Sequence, residues 1–140
     1  MTRLSLLPAA LRRSLDQRST LKVIAGLMNF DATSVARVSR AAGLGGADLI
    51  DVACDPELVA LALELSGGVP VCVSSVEPEQ FLAAVAAGAA LVEIGNYDAF
   101  YPQGRVFGAE EVMELTRRTR ALLPEVVMSV TVPHTLPMDQ

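Results

Sequence analysis

Five short apolar runs punctuate the chain: LKVIA at 21–25, LIDVA at 49–53, VPVCVS at 69–74, LVEIG at 91–95 and VVMSVTV at 126–132. Each is rich in aliphatic residues and carries few polar ones. That pattern predicts strands covered on both faces, as in a parallel sheet layered by helices. The intervening stretches have helical periodicity and predict helices over 33–44, 55–65, 77–87 and 109–123. Asp55-Pro56-Glu57 is a strong start signal, with a capping carboxylate, a proline in the first turn and an acid near the positive end of the dipole. Glu77-Pro78-Glu79 repeats it, and Gly45, Gly67 and Gly88 close three of the helices. A further short helix is expected over 8–18, where Leu11 and Leu15 stand one turn apart.

Strand and helix alternating at regular spacing imply right-handed crossovers and a parallel sheet. Two architectures accommodate five such strands: an open doubly wound sheet, or the first five strands of an eight-stranded barrel. Alternate positions place Lys22, Ile24, Asp51, Cys72, Ser74, Leu91, Glu93, Ser129 and Thr131 on one face, opposite a face almost purely of Val, Ile and Leu. Helices cover both faces of an open sheet and leave an acid in mid-strand nowhere to go. A barrel interior gathers the inward residues of every strand, so the polar face favours the barrel. GADLIDVA at 46–53 and GAALVEIG at 88–95 echo one another two crossovers apart, as alternate barrel strands do. The expected fold is therefore α/β: a partial TIM (β/α) barrel of about five parallel strands with flanking helices and an N-terminal helix. The expected division is an N-terminal helical segment, 1–19, and the N-terminal part of a barrel domain, 20–140, without the C-terminal strands.

Composition narrows the partners. Slightly over half of the 140 residues are apolar, and only 4% are aromatic, so small aliphatic side chains must fill the core. A net charge of -5 argues against a nucleic-acid surface or a general affinity for anionic membranes. No run approaches the roughly 18 apolar residues of a membrane span. The basic start of the chain has no apolar segment or cleavage-like site behind it, and is read as structure rather than a targeting signal. Cys54 and Cys72 fall in or beside buried strands, where a free thiol behaves as a small hydrophobe. The expected location is cytoplasmic.

The candidate chemistry lies on the polar face and on the loops that follow the strands. Lys22, Asp51 and Glu93 converge if the face is shared. In a functional reading Lys22 forms an imine or shuttles a proton between carboxylates acting as general acid and base. In a structural reading the three are a neutralising ion network. Ligands bind at the C-terminal ends of the strands in both architectures. The loops there supply Asn29, Ser74, Asn96, Tyr101 and Arg105 as substrate-binding candidates, and His134 as a proton-transfer candidate. Asp31 and Asp55 read as helix caps, and Arg105 as an anion clamp or a partner for Asp98. No Cys or His spacing suggests a metal, so none is assigned. No glycine-rich phosphate loop is present, and nothing calls for a particular cofactor.

The runs LKVIAGLMNFD, ADLIDVACDPELV, PVCVSSVEPEQF, LVEIGNYDAFYPQGRVF and MSVTVPHTLPMDQ resemble a family of hypothetical chloroplast reading frame proteins, the ycf twenty-three type of cyanobacteria and algal plastids. The resemblance implies an aldolase-type TIM barrel similar to ribulose-phosphate-binding barrels, in a cyanobacterial cytoplasm or an equivalent compartment. It also implies a full barrel of about 200 to 250 residues, of which this chain matches the first five strands. The expected function is a lyase or isomerase acting on a small phosphorylated or carboxylated metabolite. The alternatives are a noncatalytic metabolite-binding or regulatory barrel, or a truncated nonfunctional fragment. The expected partners are a small-molecule ligand and, if the chain is stable alone, further copies of itself.

Overall fold

A computed structural model of the chain describes residues 3–137 and 139. Met1, Thr2, Met138 and Gln140, at the ends of the two expected stretches, lie outside the described residues. Five strands, β1 (Lys22–Gly26), β2 (Leu49–Ala53), β3 (Val71–Ser75), β4 (Leu91–Ile94) and β5 (Val127–Val130), form one sheet. All neighbours are parallel, in the order β1-β2-β3-β4-β5. Sequential order means that every crossover steps in one direction. A doubly wound sheet reverses direction at a switch point, so the winding is that of a barrel segment.

The helices are α1 (Ala9–Asp16), α2 (Ala32–Leu44), α3 (Pro56–Leu65), α4 (Phe81–Ala86) and α5 (Ala109–Leu122). Asp31 caps α2 by accepting from Thr33 N at 2.9 Å, and Asp55 caps α3 by accepting from Glu57 N and Leu58 N at 2.8 and 3.1 Å. Both aspartates are thus occupied as caps. The helix expected over 77–87 divides into a 3₁₀ turn, Pro78–Gln80, and α4. Glu77 supplies no side-chain cap. Its N–H instead donates to Ser75 Oγ, whose hydroxyl donates to Gln80 Oε1, both at 2.9 Å. β3 begins two residues later than expected because Pro70 lacks an N–H, although its carbonyl accepts from Ile50 N at 3.0 Å.

The two faces of the sheet bury different things. Outward residues Ile50, Val52, Val71, Val73, Val92 and Ile94 pack with Val35, Val59, Phe81, Val112 and Leu115 of the helices in the main core. Each fully buried aliphatic or aromatic side chain contributes about 1.5–3 kcal/mol. Inward residues Leu49, Cys72, Leu91 and Val127 form a second cluster with Leu7 and Leu11. The N-terminal helix therefore plugs the inner face of the sheet, and Arg3 fastens the segment by donating to Pro124 O. Arg3 and Leu11 in this basic start thus have structural work, whereas Leu15, expected to share the stripe with Leu11, is 42% exposed.

α2 and α3 meet closely at Gly43, where an added Cβ would lie 2.4 Å from Ser66 O. That carbonyl belongs to the backbone and cannot swing away. Gly43→Ala is expected to destabilise the chain by about 1–3 kcal/mol, read as a lowered urea midpoint at unchanged slope. An unaltered midpoint would show that the helices separate without cost.

Candidate functional site

Strand register places the polar inward residues beside one another. Asp51 is opposite Cys72, Ser74 opposite Glu93, and Glu93 opposite Ser129. Lys22 reaches across from β1. Its Nζ lies 2.7 Å from Asp51 Oδ2 and 3.0 Å from each oxygen of Glu93. The contact to Asp51 is ionic, without the angles of a directed hydrogen bond. Asp51 is fully buried, and its other oxygen accepts from Ser74 Oγ at 2.7 Å. Asn96 Nδ2 donates to Glu93 Oε1 at 3.4 Å. Three carboxylate oxygens are thus gathered round one ammonium, whose side chain keeps 24% exposure.

Burial by itself depresses the Lys22 ammonium. The surrounding negative groups outweigh it and hold the group above its usual range. Of these, Cys72 counts only as a thiolate, a form its own burial strongly suppresses. The charge of Asp51 and the hydrogen bonds accepted by Glu93 are therefore the physical cause at neutral pH. Burial pushes Asp51 above the ordinary carboxylate range against the pull of Lys22 and Ser74. Lys22 consequently rests as a cation and is not a resting nucleophile.

The backbone beyond Glu93 is shaped for this contact. Gly95 runs against Thr131, where a Cβ would lie 2.3 Å from Thr131 Oγ1. Asn96 then takes the left-handed conformation, φ 61°, from which its amide reaches back to Glu93. Asparagine is one of the few side chains that adopt this region readily, so the turn sets the amide towards Glu93 at little backbone cost.

A cleft of about 140 Å³ opens at the C-terminal ends of β1 to β3, with Ser74, Ser75, Cys54 and Glu77 among its lining residues. Phe100 and Arg105 of the loop between β4 and α5 line it too. That loop is held by Phe107, which is fully buried with its ring centroid 4.7 Å from Tyr97 and 5.5 Å from Phe100. Burial pushes the Tyr97 phenol up to about 12. The Arg105 guanidinium sits 4.4 Å from the Phe107 ring centroid and 3.1 Å from Glu111. Burial likewise pushes the Cys54 thiol up to about 12, leaving it neutral in the cleft wall.

The expected site residues thus fall into groups. Lys22, Asp51, Glu93, Ser74 and Asn96 form one network, and Ser74 connects it to the cleft. Arg105 lines the cleft but pairs with Glu111 and not with Asp98. Asp98 pairs with His134 at 3.3 Å, and Tyr101 stacks edge-on against the same imidazole at 5.4 Å. These three hold the loop to the segment after β5, away from hydrogen-bond contact with the lysine network. Asn29 is engaged within its own loop, donating to Ala25 O and Ser34 Oγ at 3.0 and 2.9 Å. Asp51, Cys72 and Glu93, set on one face by their parity along three strands, converge with donor atoms within 4.8 Å of one another. These are the described residues best placed to hold a cation, and the Lys22 ammonium already stands among them.

Fold and site together define a parallel α/β protein with barrel winding and a buried lysine between two carboxylates. The chain belongs to the family described as protein of unknown function DUF561, which it matches over residues 7–140. It is similar to the uncharacterised protein ycf23 of Cyanophora paradoxa, 42% identical over 125 residues that cover 89% of this chain and 51% of the relative. The ycf23 proteins of Pyropia yezoensis and Porphyra purpurea are 37% and 36% identical over 88% and 89% of this chain, and 45% and 47% of their own lengths. The chain therefore spans about half the length of these curated relatives. No solved structure matches it. No helix among the described residues is long and apolar enough to cross a membrane.

Proposed function

We propose that this chain carries the acid-base half of an aldolase-type barrel site, a lyase or isomerase acting on a small phosphorylated or carboxylated metabolite. The observation that carries the reading is the Lys22 ammonium between two buried carboxylates, joined through Ser74 to a cleft at the strand ends. Glu93 keeps some exposure, with 11% of its side chain open against none for Asp51. It is the better placed of the two to accept a proton from a carbon beside a carbonyl. Lys22, charged because Asp51 holds it so, stabilises the oxygen that becomes negative, replacing one of its two contacts to Glu93. Asn96 positions Glu93. Arg105 lines the cleft, while Tyr101 and His134 hold the aromatic loop and Asn29 braces its own. The location that fits this reading is a cytoplasm or its plastid equivalent.

The test is solvent exchange. Small keto acids and phosphorylated hydroxyketones are incubated with the chain in deuterium oxide and followed by proton NMR. Loss of the signal next to the carbonyl, abolished by Glu93→Gln, is the expected result. Binding without exchange would replace this reading with the second one, a metabolite-sensing barrel, which the complete charge compensation of Lys22 independently favours.

The sheet has a free edge on β1 and another on β5. Ile24 and Val132 are 54% and 68% exposed beside them, and Leu21 and Val130 are exposed as well. Unpaired parallel edges with apolar flanks invite association. We expect copies of this 140-residue chain to associate, with light scattering after size exclusion giving a dimer or larger assembly. A monomer with native near-ultraviolet dichroism would exclude it.

A further inference from the structure

The hydroxyl proton of Ser74 is already committed. Its Oγ donates to Asp51 Oδ1 at 2.7 Å, and Asp51 carries the charge that the neighbouring ammonium requires, so the carboxylate has no proton to return. Ser74 lines the floor of the cleft with only its lone pairs left to offer. Ser75, beside it, is occupied twice, accepting from Glu77 N and donating to Gln80 Oε1. Glu77, on the wall, accepts only. The floor of the cleft at Ser74 is thus an acceptor surface, whereas the side-chain donors of the lining stand off it: the Gln80 amide, whose oxygen already accepts from Ser75, and the Arg105 guanidinium on the loop above, which serves Glu111.

We infer that Ser74 is a specificity-determining residue that selects ligands presenting a hydrogen-bond donor, a hydroxyl or an amine, to the cleft floor. This rests on the proposed ligand-binding role of the cleft and adds an orientation to it. A carboxylate or phosphate carried by the same molecule points away from Ser74, because an anionic oxygen there would face lone pairs with no proton between them. The volume of about 140 Å³ is well below the roughly 300 Å³ at which drug-sized pockets begin, so the part of the ligand held here is only a few heavy atoms.

The test uses two isomers of identical composition. Propane-1,3-diol donates and accepts, whereas dimethoxymethane accepts only. Each is titrated into the isotope-labelled 140-residue chain while the amide signals of Ser74, Ser75 and Glu77 are followed by NMR. The diol is expected to move them in a saturable way and the acetal to leave them in place. 2-Amino-1,3-propanediol should bind more tightly than the diol, because Glu77 faces the added cation. Ser74→Ala should weaken the diol about fivefold to tenfold, the loss of one hydrogen bond. Equal shifts with both isomers would overturn the donor rule but leave the cleft as a ligand site. No shift with any of the three would overturn both the rule and the cleft's proposed role. The isomer comparison is made on the unaltered chain and stands even if Ser74→Ala does not fold.

Discussion

Replacing Lys22 with Met is expected to cost about 3–5 kcal/mol of folding stability at neutral pH, because it strands two carboxylates that share a single cation. Asp51 has no exposed side-chain surface and Glu93 only 11%, so both carboxylates are poorly hydrated once the ammonium, whose own side chain is 24% exposed, is gone. The pH dependence gives the signature. In the unaltered chain the pKa of Lys22 is raised above 10.5, so its contribution is complete below that value and is lost only as pH rises through the folded-state value. In Lys22→Met no cation opposes burial, and Asp51 climbs further above its unfolded value of 3.8. The folded variant then binds protons more tightly than the unfolded one. Its stability is greatest in acid and falls as pH rises through the new folded-state value. Urea denaturation in steps from pH 7 towards pH 5 should therefore show the deficit shrinking. Adding Asp51→Asn and Glu93→Gln should recover most of it at neutral pH. A deficit below about 1 kcal/mol and flat with pH would mean that the trio behaves as an ordinary surface pair.

Phe107→Ala is the second large effect, expected at about 3–5 kcal/mol. The ring is fully buried, contacts Tyr97 and Phe100 edge to face or tilted, and supports Arg105 on its face. Its removal leaves a cavity under the whole loop between β4 and α5. Hydrogen exchange should accelerate across 97–105 more than in any of the strands, which separates loss of the loop from global unfolding. Arg105→Ala is the control. Its side chain is 43% exposed and its ion pair with Glu111 is a surface one, so a loss under about 1 kcal/mol is expected. If the two substitutions cost the same, the loop is held by charge and not by the aromatic cluster.

Much of this was legible in the sequence, for a reason that particular residues make plain. A strand has a period of two, so the parity of Asp51 and Glu93 along their strands already assigns them to one face. Lys22 follows by the same count, and the observed contacts of 2.7 and 3.0 Å bear out that shared face. The caps at Asp31 and Asp55 were equally readable, since the interaction spans only two or three residues. Arg105 was harder. Its partner depends on how the 3₁₀ turns Tyr97–Ala99 and Tyr101–Gln103 fold the loop back towards the start of α5, and no linear pattern encodes that path. The same holds for His134 and Asp98. The periodicity of α1 announces a helix with an apolar stripe but carries no address for it; that Leu7 and Leu11 meet Leu91 and Val127 is a property of the assembled sheet. Cys72 was legible both as buried and, by the same parity, as sharing the face of the two carboxylates; the strand register, which sets it directly opposite Asp51, was not.

The sequential strand order also sets a timetable for folding. Each strand from β2 onward hydrogen-bonds to the one made just before it, so the sheet grows by addition at a single advancing edge. Such near-neighbour pairing needs only modest loop closure at every step. Two features cannot form until late. The bond from Lys22 to Glu93 joins residues 71 apart, and Arg3 meets Pro124 across 121. The first segment of the chain finds part of its apolar seat on β2 and β3 but is completed only by Val127 of β5 and the Arg3 contact, and the lysine network is completed only when β4 arrives. Pulse-labelled hydrogen exchange during refolding should find the amides of α1 protected after those of β2 and β3. Protection of α1 first would mean that the helix recruits the strands instead of sealing them.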